Sequence, residues 1–171
     1  MGIFQPKDGR GYFMLPQAPE GAGYYVYGNV NDLPGTGHLG QFAHPNLMTV
    51  ILRIEREWQA ICDRKFGIGN ISVAGGAPFP PHHSHMSGAE VDCRPIRKDR
   101  LTGQSARCTY MDRAHYDLSA TIELIRLFYN HPWVSAIFFN DPAVRRAVPG
   151  VASRPGHNDH FHVQLRKTYA S

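Results

Sequence analysis

An α+β fold is predicted for this chain from three observations. Two stretches, residues 45–65 and 117–130, carry apolar side chains at helical spacing. Short runs with strand-like alternation lie between and after them, without the regular rhythm of strand, helix and parallel strand. Residues 1–44 are rich in Gly and Pro and show neither period.

That first segment reads as an irregular arm packed on one domain spanning 1–171. It holds a turn cluster at Asp32-Leu33-Pro34-Gly35-Thr36-Gly37 and one short strand within Gly23–Gly28. Pro45 suits the first turn of a helix. Leu47, Val50, Ile51, Ile54, Trp58 and Ile61 then form its stripe, with Arg53, Glu55, Arg56 and Asp63 mostly off it, and the end is expected near Lys65. Ile71–Ala74 is predicted as a strand. Glu90–Ile96 is a second, limited by Pro95 on one side, and Ala106–Met111 is its partner across the polar turn at 97–104. The second helix should start from Asp117 as N-cap and run to Asn130, burying Leu118, Ile122, Ile125 and Tyr129. Val134–Phe139 reads as a buried strand, Pro142–Val148 as a short helix and His160–Leu165 as the last strand.

A length of 171 residues suits a single core. Charged residues at 19% and aromatics at 11% exclude a disordered chain. The net charge of +4 is a mild basic excess that fits an anionic polymer as partner. The N-terminus shows no apolar run of secretory type, and no stretch is long enough to span a bilayer. Synthesis in the cytoplasm without membrane insertion is therefore the expectation. Cys62, Cys93 and Cys108 lack C-x-x-C spacing, which argues against a cysteine zinc cage. Cys93 and Cys108 could meet across a hairpin, but free buried thiols are the expectation.

The chemistry is concentrated in two runs. Pro80-Pro81-His82-His83-Ser84-His85-Met86-Ser87-Gly88-Ala89-Glu90-Val91-Asp92 and His157-Asn158-Asp159-His160-Phe161-His162 hold six of the ten histidines. A metal is the simplest physical reason for such clustering. On a helix, His85 and Asp92 would stand about 10 Å apart along the axis, too far for one ion bound at about 2 Å. A loop that folds back at Gly88 and enters a strand at Val91 brings them together, with Val91 and Cys93 facing the core and Asp92 the cleft. His160 and His162, at i and i+2, share one face of a strand, with Phe161 and Val163 opposite. Either or both can approach the ion. Two imidazoles and one carboxylate leave a fourth position open, the pattern of catalytic rather than structural zinc. Glu90 reads as a solvated strand residue able to accept a hydrogen bond from a ligand. Phe138 reads as core, and Arg154 as either an exposed cation or a holder of a substrate carboxylate.

Ser84-His85-x-x-Gly88-x-x-Val91-Asp92, followed by Gly156-His157-x-x-His160-Phe161-His162-Val163, resembles the penicillin-insensitive murein endopeptidases. These zinc peptidases are related to D-Ala-D-Ala carboxypeptidases and to the hedgehog zinc domain. The resemblance implies Zn2+ on His85, Asp92 and His162, His160 as catalytic residue helped by His157, and His82 as a further site histidine. It also implies hydrolysis of a peptide bond in peptidoglycan stem peptides or cross-links. Related carboxypeptidases use a glutamate base, and the corresponding position here is Asp159. Strand alternation places Asp159 with Phe161, away from the metal, so Asp159→Asn is expected to be mild.

Such enzymes are exported, whereas no export signal is visible here. A phage lysin or a delivered antibacterial effector, the latter with an immunity protein, is the expected setting, acting on the bacterial wall. Two alternatives are a metal-dependent nuclease or phosphodiesterase, since His-rich basic sites also serve phosphate chemistry, and a non-catalytic zinc-bearing binding module. No nucleic-acid partner is expected under the main reading.

Overall fold

The computed structural model describes residues 6–78, 80 and 84–171. The elements follow in chain order: β1 (Phe13–Met14), β2 (Tyr24–Val26), β3 (Phe42–Ala43), α1 (Pro45–Ile61), β4 (Phe66–Ile68), β5 (Glu90–Arg94), α2 (Leu118–Tyr129), β6 (Val134–Phe138), α3 (Pro142–Ala147), β7 (Val151–Ala152) and β8 (Phe161–Leu165). The class is α+β, as expected. Among the described residues the main sheet has the order β2-β4-β5-β8-β6-β7, antiparallel at its centre and parallel at both edges. No described helix is long and apolar enough to cross a membrane.

Helix α1 begins where expected. Pro45 occupies the first turn, and His44 caps it by accepting the Asn46 N–H on Nδ1 at 3.1 Å. Leu47, Val50, Ile51, Ile54 and Trp58 are fully buried, but Ile61 is not. The helix stops at Ile61 rather than Lys65, because Cys62 turns extended and Trp58 Nε1 donates to the Arg64 carbonyl. Glu55 is buried on the stripe instead of off it, accepting the Gly23 N–H at 2.6 Å, which ties the N-terminal arm to the helix. The arm is less irregular than expected: β1 pairs with β3, and β2 forms the edge of the main sheet.

Three expectations are corrected. Ile71–Ala74 is not a strand. Ser72 makes one isolated bridge to Gln41, and the sheet is built from Phe66–Ile68, which pairs with β2 and β5. Ala106–Met111 forms no strand either, since β5 pairs with β4 on one side and β8 on the other, leaving no ladder for a hairpin partner. Helix α2 is rotated by about one residue from its expected stripe. Thr121, Leu124, Ile125 and Phe128 are buried, whereas Leu118 and Tyr129 are exposed. The α2 sequence is apolar on more than one face, and ring packing selects between them: Phe128 stands edge-on to both Phe66 and Phe161. A side chain of that size contributes about 1.5–3 kcal/mol when fully buried. Cys62, Cys93 and Cys108 are all free thiols.

The core lies between the helices and one face of the sheet. Val91, Cys93, Phe161 and Val163 are fully buried there, and Phe161 packs on Phe128 of α2. By strand alternation, Glu90, Asp92, Phe138 and His162 point to the opposite face.

Asp117 caps α2 through the Ala120 N–H at 3.0 Å and pairs with Arg64 at 2.7 Å. Burial pushes its carboxyl up, but the Ala120 N–H and the Arg64 guanidinium outweigh this and hold it below the ordinary 3.8. A lowered carboxyl adds stability that is present above the unfolded value and is lost as pH falls through the folded one. Asp117→Ala should therefore cost about 1 kcal/mol in urea unfolding at neutral pH. That difference should shrink toward zero in acid below the folded value.

Candidate metal centre and active site

The centre is built on the register of the middle strands. Asp92 of β5 pairs with His162 of β8, and His162 pairs in turn with Phe138 of β6, so the three side chains form one row on one face. Glu90 and Gln164 form the next row, with Gln164 Nε2 donating to Glu90 Oε1 at 3.1 Å. His85 arrives from the preceding loop. Gly88, at φ +69°, folds that loop back, and a Cβ there would lie 2.9 Å from the Tyr12 ring and 3.0 Å from the His44 nitrogen, so the turn needs glycine.

Asp92 sits at the meeting point. Its Oδ2 lies 3.3 Å from His85 Nε2, and its Oδ1 lies 3.0 Å from His162 Nδ1 and 3.8 Å from His160 Nε2. The other ring nitrogens also face acceptors. His85 Nδ1 is 3.1 Å from the Ile71 carbonyl, His160 Nδ1 is 2.8 Å from Asp159 Oδ1, and His162 Nε2 is 3.6 Å from Glu90 Oε2. Arg107 forms an ion pair with Asp159 on its far side. His157 packs 4.9 Å from the His160 ring, with Nδ1 3.0 Å from the Pro155 carbonyl. Arg154 Cζ lies over the Phe138 ring, 4.0 Å from its centroid. These groups line a cleft of about 380 Å³ together with Ser84, Pro155 and Gly156.

The electrostatics follow from this crowding. Burial would raise the Asp92 carboxyl, but the surrounding imidazoles of His85, His162 and His160 hold it well below the usual range. Burial lowers His85, and the Asp92 carboxylate overcomes that and raises it. His160 is likewise pushed down by burial and raised, on balance, by Asp159 and Asp92. Burial and the neighbouring His160 charge lower His157. Asp159 is held at about 2, its burial outweighed by His160 and Arg107. A bound cation would invert this balance, favouring neutral imidazoles and releasing their protons.

His85, Glu90 and His162 form a buried group that could hold a metal ion, with one donor atom from each lying within 4.8 Å of the others. The fit is chemical as well as geometric. Glu90 Oε2 is buried without a hydrogen-bond partner, and imidazole with carboxylate is a common donor set for divalent transition metals.

The structure brings His85, Asp92, His157, His160, His162 and Arg154 to one cleft. His82 lies outside the described residues. Two residues stand elsewhere than expected: Glu90 is buried beside His162 rather than solvated, and Phe138 lines the cleft instead of the core. A signal for Glu90 was present in the sequence, since a strand that turns Asp92 to the cleft turns its i−2 neighbour there too. Asp159 precedes β8 and grips His160 instead of turning away with Phe161. Nothing in the sequence pointed to Arg107 as its partner, 52 positions away.

No family model matches this chain. A penicillin-insensitive murein endopeptidase of Haemophilus influenzae is 27% identical to it over 147 residues, covering 72% of this chain. The chain spans about half the length of that curated relative, 51%.

His85 and His162 belong both to the buried group with Glu90 and to the ligand set expected with Asp92. His85→Ala and His162→Ala should each abolish stoichiometric uptake of a divalent metal measured by isothermal titration and elemental analysis, and uptake retained by both variants would remove the centre.

Proposed function

We propose that this chain is a zinc-dependent peptidase of bacterial peptidoglycan, cleaving a peptide bond in stem peptides or cross-links. The observation that carries the reading is the placing of His85 Nε2 and His162 Nδ1 on the two oxygens of the Asp92 carboxylate, at 3.3 and 3.0 Å, beside a further, carboxylate-braced histidine. Four bonds of about 2.0–2.1 Å in tetrahedral array separate neighbouring ligand atoms by about 3.3 Å, close to these spacings. The murein endopeptidase likeness supports the same substrate class and the family suspected from the motifs.

His85, Asp92 and His162 are the ligands in this reading. Zinc held there would act as a Lewis acid on the scissile carbonyl and make a water acidic near neutral pH. The remaining work falls to the chain. Asp159 accepts from His160 Nδ1, so the ring presents Nε2 to the cleft, where it takes a proton from the attacking water and returns one to the leaving amine. His157, with Nδ1 turned to the Pro155 carbonyl, presents the lone pair of its own Nε2 beside it, where it accepts from the water and helps His160 to move the proton. Arg154, over the Phe138 ring, offers its N–H fork to a substrate carboxylate. Glu90 stands behind His162, with Oε2 3.6 Å from Nε2, which favours the ring orientation that turns Nδ1 to the ion. Of the residues lining the described cleft, Arg154 is the only arginine or lysine, which gives little to favour phosphodiester substrates. The expected settings, a phage lysin or a delivered effector acting on the wall, go with this reading.

The two carboxylates can be told apart. Asp92→Asn should abolish zinc uptake, whereas Glu90→Gln should weaken it by about 10–100-fold, the usual cost of altering a group just behind a ligand. The opposite result in titration calorimetry would make Glu90 the ligand.

Digestion of purified sacculi, with muropeptides read by mass spectrometry, tests the activity itself. His160→Ala should keep zinc and lose on the order of 10²–10⁴ in kcat, with Asp159→Asn falling between it and wild type. An intact sacculus alongside cleaved plasmid DNA would overturn the assignment in favour of a nuclease. Intact sacculus and DNA together with bound zinc would point to a binding module.

A further inference from the structure

We propose that the N-terminal arm clamps the metal centre, with Arg10, backed by Asp8, as a positioning residue that sets the angle of His85. The proposal rests on the reading of His85 as a ligand.

His85 is the ligand with the least support from the sheet. Asp92 and His162 sit inside paired strands, whereas His85 lies on a turn between residue 84 and Gly88. Among the described residues, two chain segments outside the sheet hold its ring. One is the turn that carries it. The other is the stretch after Gly69, whose Ile71 carbonyl faces His85 Nδ1 at 3.1 Å. The distance between these segments decides where Nε2 points.

One guanidinium spans both. Arg10 Nη1 donates to the Met86 carbonyl at 2.7 Å, one residue beyond His85. Its Nη2 donates to Ser72 Oγ at 2.9 Å and to the Val73 carbonyl at 3.0 Å, next to Ile71. Asp8 holds the fork in place. Its Oδ2 accepts from Arg10 Nε at 2.9 Å and Nη2 at 2.7 Å, and also takes the Gly75 N–H at 2.9 Å. Its Oδ1 accepts the backbone N–H of Arg10 at 2.9 Å. The Asp8 side chain is only 1% exposed, so the pair is shielded from solvent on that side.

The surroundings leave room for this one arrangement. A Cβ on Gly76, at φ +76°, would lie 2.6 Å from both Arg10 Nη1 and the Met86 carbonyl, so glycine is what lets the two meet. The far face of the guanidinium lies 4.3 Å above the Tyr12 ring, and that ring in turn packs against Gly88, where the ligand turn ends. A planar five-donor fork suits such a bridge between three oxygen acceptors and a carboxylate; a single ammonium does not.

The test is zinc affinity of the purified protein, measured by competition with a chromophoric chelator, with thermal unfolding of the metal-free form recorded alongside. Arg10→Ala should weaken zinc binding by about 10–100-fold, the scale of lost outer hydrogen bonds in metal sites. Arg10→Lys, which cannot bridge both segments, should fall between Arg10→Ala and wild type. Asp8→Asn should also weaken binding, and combined with Arg10→Ala should add little to it, because the two act as one unit. Should Arg10→Ala fail to fold, Arg10→Lys and Asp8→Asn carry the same comparison. Wild-type affinity in the folded variants, with only a lowered unfolding temperature, would overturn the clamp and leave the arm a structural strap, with the metal reading intact. A wild-type protein that takes up no zinc would overturn both.

Discussion

The register of β8 between β5 and β6 is the constraint on which the centre depends. It puts Asp92, His162 and Phe138 in one row. A slip of one residue would turn His162 into the core and Phe161 into the cleft. What prevents the slip is apolar. Phe161 and Val163 are fully buried on the other face, and the Phe161 ring packs against Phe128 and Phe139. The polar row therefore inherits its position from hydrophobic packing behind it. The same packing explains why α2 turns Phe128 inward and leaves Tyr129 outside: the ring that locks Phe161 takes precedence over the alternative stripe.

A buried carboxylate surrounded by imidazoles also has an energetic logic. An isolated charge at Asp92 would be costly to bury. Protonated His85 and His160 can neutralise it, which is why both are held above their ordinary range in spite of burial. This solution crowds like charges together, and His157 is depressed in part by it. A divalent ion offers a second solution, in which one cation replaces the bound protons and the imidazoles act as neutral donors. The side chains are packed for either, and Glu90, buried with Oε2 lacking a hydrogen-bond partner, leaves a further oxygen for the cation.

Much of the centre was legible in the sequence because the pattern is local. Gly88 had to be a turn for His85 and Asp92 to meet, and it is one. His160 and His162 had to share a face, and both reach the cleft. Strand pairing was less legible, because partners are chosen by the tertiary structure. Phe66-Gly67-Ile68 is too short to show alternation, yet it is the strand that joins β2 to β5. Ile71 looked like a strand residue for the same apolar reason that it is buried. The α2 stripe failed where its sequence is apolar on two faces and only the neighbouring rings decide. Asp159 was misplaced because alternation was extended one step beyond the strand. Outside the ladder, its side chain is free to bond its neighbour His160. Arg107, Arg10 and Asp8 gave no local signal, since their partners lie far along the chain or in turns.

The tautomers of the four histidines show how these parts combine. An imidazole that donates Nδ1–H to an oxygen keeps its lone pair on Nε2. His85 faces the Ile71 carbonyl, His157 the Pro155 carbonyl and His160 the Asp159 carboxylate, each through Nδ1. All three therefore turn Nε2 toward the cleft. His162 is reversed, with Nε2 toward Glu90 and Nδ1 toward Asp92. The reversal follows from its place in a central strand. The short side of the ring lies next to the cross-strand neighbour Asp92, and the long side reaches one row further to Glu90. The sheet thus dictates one orientation and the loops the other three, so each loop needs its own acceptor at the back of the ring. A loop that loses its acceptor frees the ring to flip, which would remove a donor from the cleft without altering a single cleft-facing residue.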